Sequence, residues 1–385
     1  MAVPVAAEPA VEQDALPLPA LGFGGPAANA AEARAEQAQR SGVLAVVELT
    51  GAQRAELAQA IATFDADVRW DTDAEAFAGR ARDAVASVLT PEQLAVVARF
   101  GDASDADRPS VLLVRGLGVD GDLPPTTVAQ EHASRVAEQR TLGGVPAMQA
   151  AQQRFSKGGQ HTEAAMVGVM GMWPETDTFR SPTMSSGEHV SNAVRLGINQ
   201  VVPIRGKETM FANYGSKVNL SWHRDGGADG LGQEHEYTLP SKVALFCVRH
   251  DHEQRAETLF CDNRTLCATL TPDDLDALTT EPVRFKMRET DNVARNRGAE
   301  EGVPQFQLDD DTLLASDKHR LYFKQPHACI GGSAEWPVVS IQQDREVDTV
   351  NSSPRVAGAY RRLRETAAEV GFALKLCQGD LCIVS

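Results

Sequence analysis

Residues 219–227 read Asn219-Leu220-Ser221-Trp222-His223-Arg224-Asp225-Gly226-Gly227, an apolar run closing on a histidine, an acid two positions later and a glycine pair. The run from Val218 to Trp222 is β-prone, and the glycines end it. Side chains along a strand alternate with period two, so His223 and Asp225 project to one face where the strand runs out. An imidazole and a carboxylate so placed can supply two ligands of a two-histidine, one-carboxylate triad, which leaves positions open on iron. Spacing alone leaves a second reading open: a solvated loop histidine and a turn-forming aspartate before Gly-Gly.

Similar short β-prone runs recur on both sides of this stretch, at Gln200 to Ile204, Lys242 to Val248, Val283 to Met287, Leu321 to Phe323 and Phe372 to Leu376, between Gly/Pro/Asn/Asp turns. Strands at this density predict an antiparallel sandwich or jelly roll. Two helices interrupt it: one opens at Thr271-Pro272-Asp273-Asp274, and one runs from about Pro354 to Val370 with Leu363 on its apolar side. Upstream, residues 43 to about 140 carry a largely helical pattern. Thr50-Gly51-Ala52-Gln53 and Thr90-Pro91-Glu92-Gln93 read as capping boxes, followed by Leu57, Ile61 and Phe64, then Leu94, Val97 and Phe100, at helical spacing. After them, Val111-Leu112-Leu113-Val114-Arg115-Gly116 is a short apolar run ended by glycine, the pattern of a buried strand. Residues 1–42, dominated by Ala, Pro, Glu and Gly, bury too little apolar surface to offset their ordering entropy and are expected to form a mobile extension, with Ala30 to Gln39 a weak helix. Residues 43–385 then form one catalytic unit.

The chain of 385 residues has 53 acidic and 37 basic side chains, a formal charge of −16, which argues against nucleic-acid and anionic-membrane partners. No apolar run reaches the ~18 residues of a transmembrane helix, and the first residues lack the basic-then-apolar pattern of a secretory leader. The six cysteines are too sparse for a disulfide framework and read as buried small hydrophobes in a reducing cytoplasm.

Other histidines have plainer readings. His161-Thr162-Glu163 repeats the His-x-acid spacing but follows Lys157-Gly158-Gly159-Gln160 and reads as a solvated loop. His223-Arg224-Asp225 is not a kinase catalytic loop, because position 230 is Gly where that loop needs Asn. A zinc deaminase would need Pro-Cys-x-x-Cys, which is absent. His250 and His252 flank Asp251 and read as hydrogen-bonding residues at a strand end; a metal-dependent hydrolase built on His250 and Asp251 lacks further His-rich motifs. Trp222 reads as core, and Asp309-Asp310-Asp311 as a solvated run that could cradle a cationic substrate.

The segment Asp251-His252-Glu253-Gln254-Arg255-Ala256-Glu257-Thr258-Leu259 resembles the clavaminate-synthase-like Fe(II)/2-oxoglutarate oxygenases, which include the arginine β-hydroxylases. Further pieces resemble that family in the same order: Leu112-Leu113-Val114-Arg115-Gly116-Leu117 with Leu123-Pro124-Pro125-Thr126, Val202-Pro203, Gly215-Ser216, Leu220-x-Trp222-His223, and Lys375-Leu376-x-x-Gly379-Asp380-Leu381. The resemblance implies a β-rich α+β fold, a double-stranded β-helix (jelly roll) core with flanking N-terminal helices. It implies an oxygenase that uses Fe(II), 2-oxoglutarate and O2 to hydroxylate an unactivated C–H of a free L-amino acid, arginine-like in one version. His223 would be a histidine ligand, Asp225 the carboxylate ligand where many members have Glu, and Thr258 a binder of the 2-oxoglutarate carboxylate; Arg115-Gly116 would be a structural strand end and turn.

Two departures stand out. A Gly-rich insert, Gly226 to Tyr237, carries Asp229, Glu234, His235 and Glu236 and reads either as a solvated acidic loop or as a lid or substrate clamp beside the metal. The family's second histidine ligand and its co-substrate arginine follow the Gly-Asp strand, here Gly379-Asp380-Leu381-Cys382-Ile383-Val384-Ser385, so both are expected beyond the last residue of a C-terminally truncated chain. Ending inside an apolar β run is expected to leave a sheet edge exposed. His319 and His327 are the in-chain substitutes for that ligand. The alternative to the enzyme is a non-catalytic small-molecule-binding protein with an incomplete iron site.

Overall fold

The structure, a computed structural model, describes residues 26–62, 74–118, 160–173, 222, 242–247, 257–285, 313–315, 321–323, 328–341, 347, 349 and 352–385. Its framework is a four-stranded sheet with strand order β1 (Leu44–Glu48), β2 (Val111–Arg115), β10 (Leu381–Val384), β3 (Val243–Phe246). β1 and β2 are parallel, Leu44 opposite Val111, while β10 is antiparallel to both of its neighbours, β2 and β3. Three two-stranded pairs accompany it: β4 (Thr258–Phe260) with β9 (Phe372–Leu374), β5 (Leu313–Ala315) with β6 (Leu321–Phe323), and β7 (Ile330–Gly332) with β8 (Pro337–Val339). The result is a set of mixed and antiparallel sheets with helices packed against them.

Period-two alternation gives the main sheet two apolar faces. Val47, Leu112, Val114, Leu381 and Ile383 belong to a core formed with the N-terminal helices α2 (Gly51–Ala62), α3 (Ala74–Val88), α4 (Pro91–Gly101) and α5 (Gln160–Met170). Leu44, Val111, Leu113 and Cys382 face the other way, into a separate core shared with Phe260, Phe372 and Leu374 of the β4·β9 pair. Burial on both faces explains why β2 and β10 are continuous apolar runs without alternation.

Both expected capping boxes form. Thr90 accepts from the Gln93 amide and Gln93 returns a bond to the Thr90 amide, and Thr50 with Gln53 does the same. The two boxes also meet, since Gln53 Nε2 donates to Gln93 Oε1 at 2.7 Å. The third core lies under α8 (Pro354–Val370), whose buried Val356, Ala359, Tyr360, Leu363 and Ala367 form one stripe at helical spacing, packed with α6 (Asn263–Thr269), α7 (Pro272–Thr280) and the β7·β8 hairpin. The α7 and α8 helices are pinned by Arg355, which bonds Asp273, Asp276 and Glu281, and by Arg362 on Asp274. These bonds hold the Asp274 and Glu281 carboxyls below their ordinary pKa, through Arg362 for the first and through Ser353 and Arg355 for the second.

Three expectations change. Leu44–Glu48 lies in a stretch read as helical but forms β1, because Val43-Leu44-Ala45-Val46-Val47 is a branched apolar run whose bonding edge is completed by β2. The weak helix expected inside the mobile extension is α1 (Pro26–Arg40), and it is docked: Ala38 is buried against the core that holds Phe260 and Phe372, and small side chains let the helix lie close. The β10 run, expected to leave an edge exposed, is paired on both sides. Residues 1–25 lie outside the described residues. No helix among the described residues is long and apolar enough to cross a membrane.

Candidate active site

Thr258 opens β4 and stands opposite Leu374 of β9. It shares strand parity with Phe260, and both Phe260 and Leu374 are buried in the core between the β4·β9 pair and the four-stranded sheet. The half-buried Thr258 side chain therefore projects toward the layer between the two sheets, at the end where the aromatic lining of Phe260 and Phe372 (centroids 5.9 Å apart) stops. A hydroxyl there is a donor at the margin of a dry layer.

Trp222, the residue before His223, is the described remnant of the opening stretch. It is half-buried against the α8 core, and a Cβ added to Gly371 would fall 2.5 Å from Trp222 Cη2, so the indole lies directly on the residue that joins α8 to β9. Gly371, which Trp222 touches, and Leu374, which stands opposite Thr258, are three residues apart, about 10 Å along a strand. The reading of Trp222 as a packing residue fits this contact. His223 and Asp225 themselves lie outside the described residues, as do the insert 226–237, His250, His252, His319, His327 and Asp309 to Asp311.

Two motif pieces that are weak singly meet in space. Arg115 Nη1 donates to Asp380 Oδ2 at 2.8 Å across 265 positions of sequence, and the Gly116 and Cys377 amides donate to the same carboxylate at 3.3 and 2.9 Å. Gly379, at φ +84°, passes so close to Gly118 that an added Cβ would lie 2.9 Å from the Gly118 nitrogen, while the Leu117 amide donates to the Gly379 carbonyl at 2.7 Å. Arg115-Gly116 is structural, as expected, and its partner is the 3% exposed Asp380. In the sequence Asp380 stands only as part of a family-like piece, an acid after a glycine at the mouth of an apolar run, with no role assigned.

His161-Thr162-Glu163 lies in α5, not in a loop. All six cysteines are free thiols. Burial pushes Cys261 and Cys382 up to about 12 and Cys267 to about 11, which keeps them protonated and inert. Among the described residues no three His, Cys, Asp or Glu side chains cluster as a metal site. The fit to iron therefore rests on the donor chemistry of His223 and Asp225, an imidazole and a carboxylate suited to Fe(II), beside the anchored Trp222.

No protein-family model matches the chain. No curated protein matches it either. Among solved structures it is similar to an asparagine oxygenase in complex with Fe(II), 2S,3S-3-hydroxyasparagine and succinate, with a TM-score of 0.55 at 20% identity over 88% of this chain and 84% of that one. It is also similar to the non-heme iron oxygenase OrfP in complex with Fe, succinate and (3R,4R)-dihydroxy-L-Arg, with a TM-score of 0.53 at 15% identity over 88% and 85% of the two chains. At these identities what is shared is the fold: the chain has the architecture of these iron oxygenases across most of its length.

Proposed function

We propose that the chain is a non-haem Fe(II)/2-oxoglutarate-dependent oxygenase that hydroxylates a free L-amino acid. The observation that carries this reading is Thr258, which the family resemblance assigns to the co-substrate carboxylate and which faces the layer between two sheets in a fold shared with oxygenases of asparagine and of arginine derivatives. The two-layer arrangement around that core is read as part of a double-stranded β-helix.

His223 and Asp225 would hold the metal. The chemistry supplied when Fe(II), 2-oxoglutarate and O2 are bound is oxidative decarboxylation to succinate coupled to hydroxylation of an unactivated C–H. The chain's own residues position and shield. The Thr258 hydroxyl donates to a carboxylate, Trp222 fixes the backbone entering His223, and Phe260, Phe372 and Leu374 keep water from the inner layer. The location is read as cytoplasmic. The acidic balance of −16 favours a small cationic amino acid over an anionic one.

The test is succinate formation from 2-oxoglutarate with Fe(II) and a panel of L-amino acids, asparagine and arginine included. The expected result is amino-acid-dependent succinate that His223→Ala abolishes. Succinate no higher than the His223→Ala background with every amino acid overturns the reading.

A further inference from the structure

We infer that Glu257, acting across the strand pair with Lys375, is a positioning residue that keeps Thr258 in place to receive the co-substrate; this rests on the oxygenase reading above. The β4·β9 ladder has three rungs, Thr258 with Leu374, Leu259 with Ala373 and Phe260 with Phe372. A two-stranded ladder this short is marginal by itself, and its end rungs are the first to open. Thr258 is on an end rung. The next residue outward on β4's side is Glu257, and on β9's side it is Lys375.

Glu257 Oε1 lies 3.7 Å from Lys375 Nζ, with the glutamate side chain 7% exposed and the lysine 40%. The other oxygen, Oε2, is buried and accepts no hydrogen bond. Alternation turns Glu257 to the face opposite Thr258, so it does not enter the inter-sheet layer. The pair adds little to global stability, since its lysine is partly exposed and the attraction is screened by solvent. It is an effective device against one motion. Fraying the Thr258 rung separates the Glu257 carboxylate from the Lys375 ammonium and forfeits their attraction.

The two partners are therefore not equivalent. Losing the glutamate charge leaves a lysine that is 40% exposed, whereas losing the lysine leaves the buried Glu257 carboxylate without its cation. In the full chain, Glu257→Gln is expected to melt no lower than wild type, yet the amides of residues 258–260 should exchange about tenfold faster in native-state hydrogen exchange. KM for 2-oxoglutarate should rise by a similar factor, with kcat at saturating co-substrate changed by less than about twofold. Lys375→Met is expected to lower the melting temperature more than Glu257→Gln does. The double variant E257M/K375M, an apolar cross-strand pair, should restore both slow exchange and the wild-type KM.

Exchange at residues 258–260 that stays at the wild-type rate in Glu257→Gln overturns the proposal, as does faster exchange spread evenly over the molecule with a matching fall in melting temperature. If the wild-type chain binds no 2-oxoglutarate in the presence of Fe(II) or Mn(II), the oxygenase reading fails separately, and the positioning role toward co-substrate fails with it. The exchange comparison then still reports whether the pair clamps the rung.

Discussion

The four-stranded sheet and the β4·β9 pair share one core but are held in opposite ways. In the sheet, β10 is paired along both edges, apolar on both faces and locked at its entrance by the Asp380 carboxylate, which gathers Arg115, Gly116 and Cys377. The β4·β9 pair has three rungs, and Thr258 stands on an end rung. Rigidity is placed in the scaffold, where interactions over-determine the backbone, and the residue read as touching co-substrate sits where the backbone is least determined. Loosely held elements of this kind are the ones that adjust to ligands.

Removing the lock tests the first half of that contrast. Asp380→Ala leaves a half-buried arginine and two amides without their shared acceptor, and loss of one partner of a buried pair costs about 3–5 kcal/mol. The expected outcome is a large fall in the urea midpoint with loss of the whole sheet, followed by circular dichroism. Leu363→Ala, at 0% exposure in the α8 stripe, should cost about 3 kcal/mol through lost burial and cavity. Because α8 runs directly into β9 through Gly371, exchange protection of β9 should fall before that of β2. Equal loss in both would erase the distinction between the two regions. Gly379→Ala combines a left-handed φ with a Cβ 2.9 Å from the Gly118 nitrogen and is expected to cost about 2 kcal/mol, read as a lower melting temperature.

Where the sequence was legible, the reasons are local. Thr90-Pro91-Glu92-Gln93 announces its helix because the capping box is chemistry within four residues, and the Pro354–Val370 helix because its apolar stripe has a helical period. β1 was missed because Val43 to Glu48 sits between helical patterns and its partner, β2, lies far along the chain. The Arg115–Asp380 clamp joins positions 265 apart, so no window of sequence contains it, although both halves stood out as family-like pieces. Thr258 was found by resemblance, and only the register with β9 shows which way it faces. Glu257, next to it in the same quoted segment, gave no signal, because its meaning depends on Lys375 lying across the strand.

Acid offers a milder probe of the region behind β9. Asp274 and Glu281 have folded-state pKa values held below the ordinary carboxylate range by Arg362 and by Ser353 with Arg355. A lowered folded pKa means that the stabilisation is complete above the unfolded values, about 3.9 for Asp and 4.3 for Glu, and is lost as pH falls through the lowered ones. Melting temperature should therefore decline below about pH 4, and Arg362→Met should flatten the Asp274 part of that decline. A decline unchanged in Arg362→Met would assign the acid sensitivity to other carboxylates.

The smallest expected change in stability is the sharpest test of the contrast. Thr258→Val keeps a β-branched side chain on a strand and removes one hydroxyl at the margin of an apolar layer, so the fold should change by less than about 0.5 kcal/mol. If that hydroxyl donates to the co-substrate carboxylate, its loss removes a hydrogen bond to a charged group, worth about 1.5–3 kcal/mol, and 2-oxoglutarate affinity should fall by at least about tenfold. The two readouts separate because the β4·β9 pair gains little stability from Thr258. Asp380→Ala, by contrast, should disturb folding and binding together. Affinity for 2-oxoglutarate unchanged in Thr258→Val would mean that the marginal strand pair does not carry the co-substrate site, and the division of labour between the two regions would have to be drawn elsewhere.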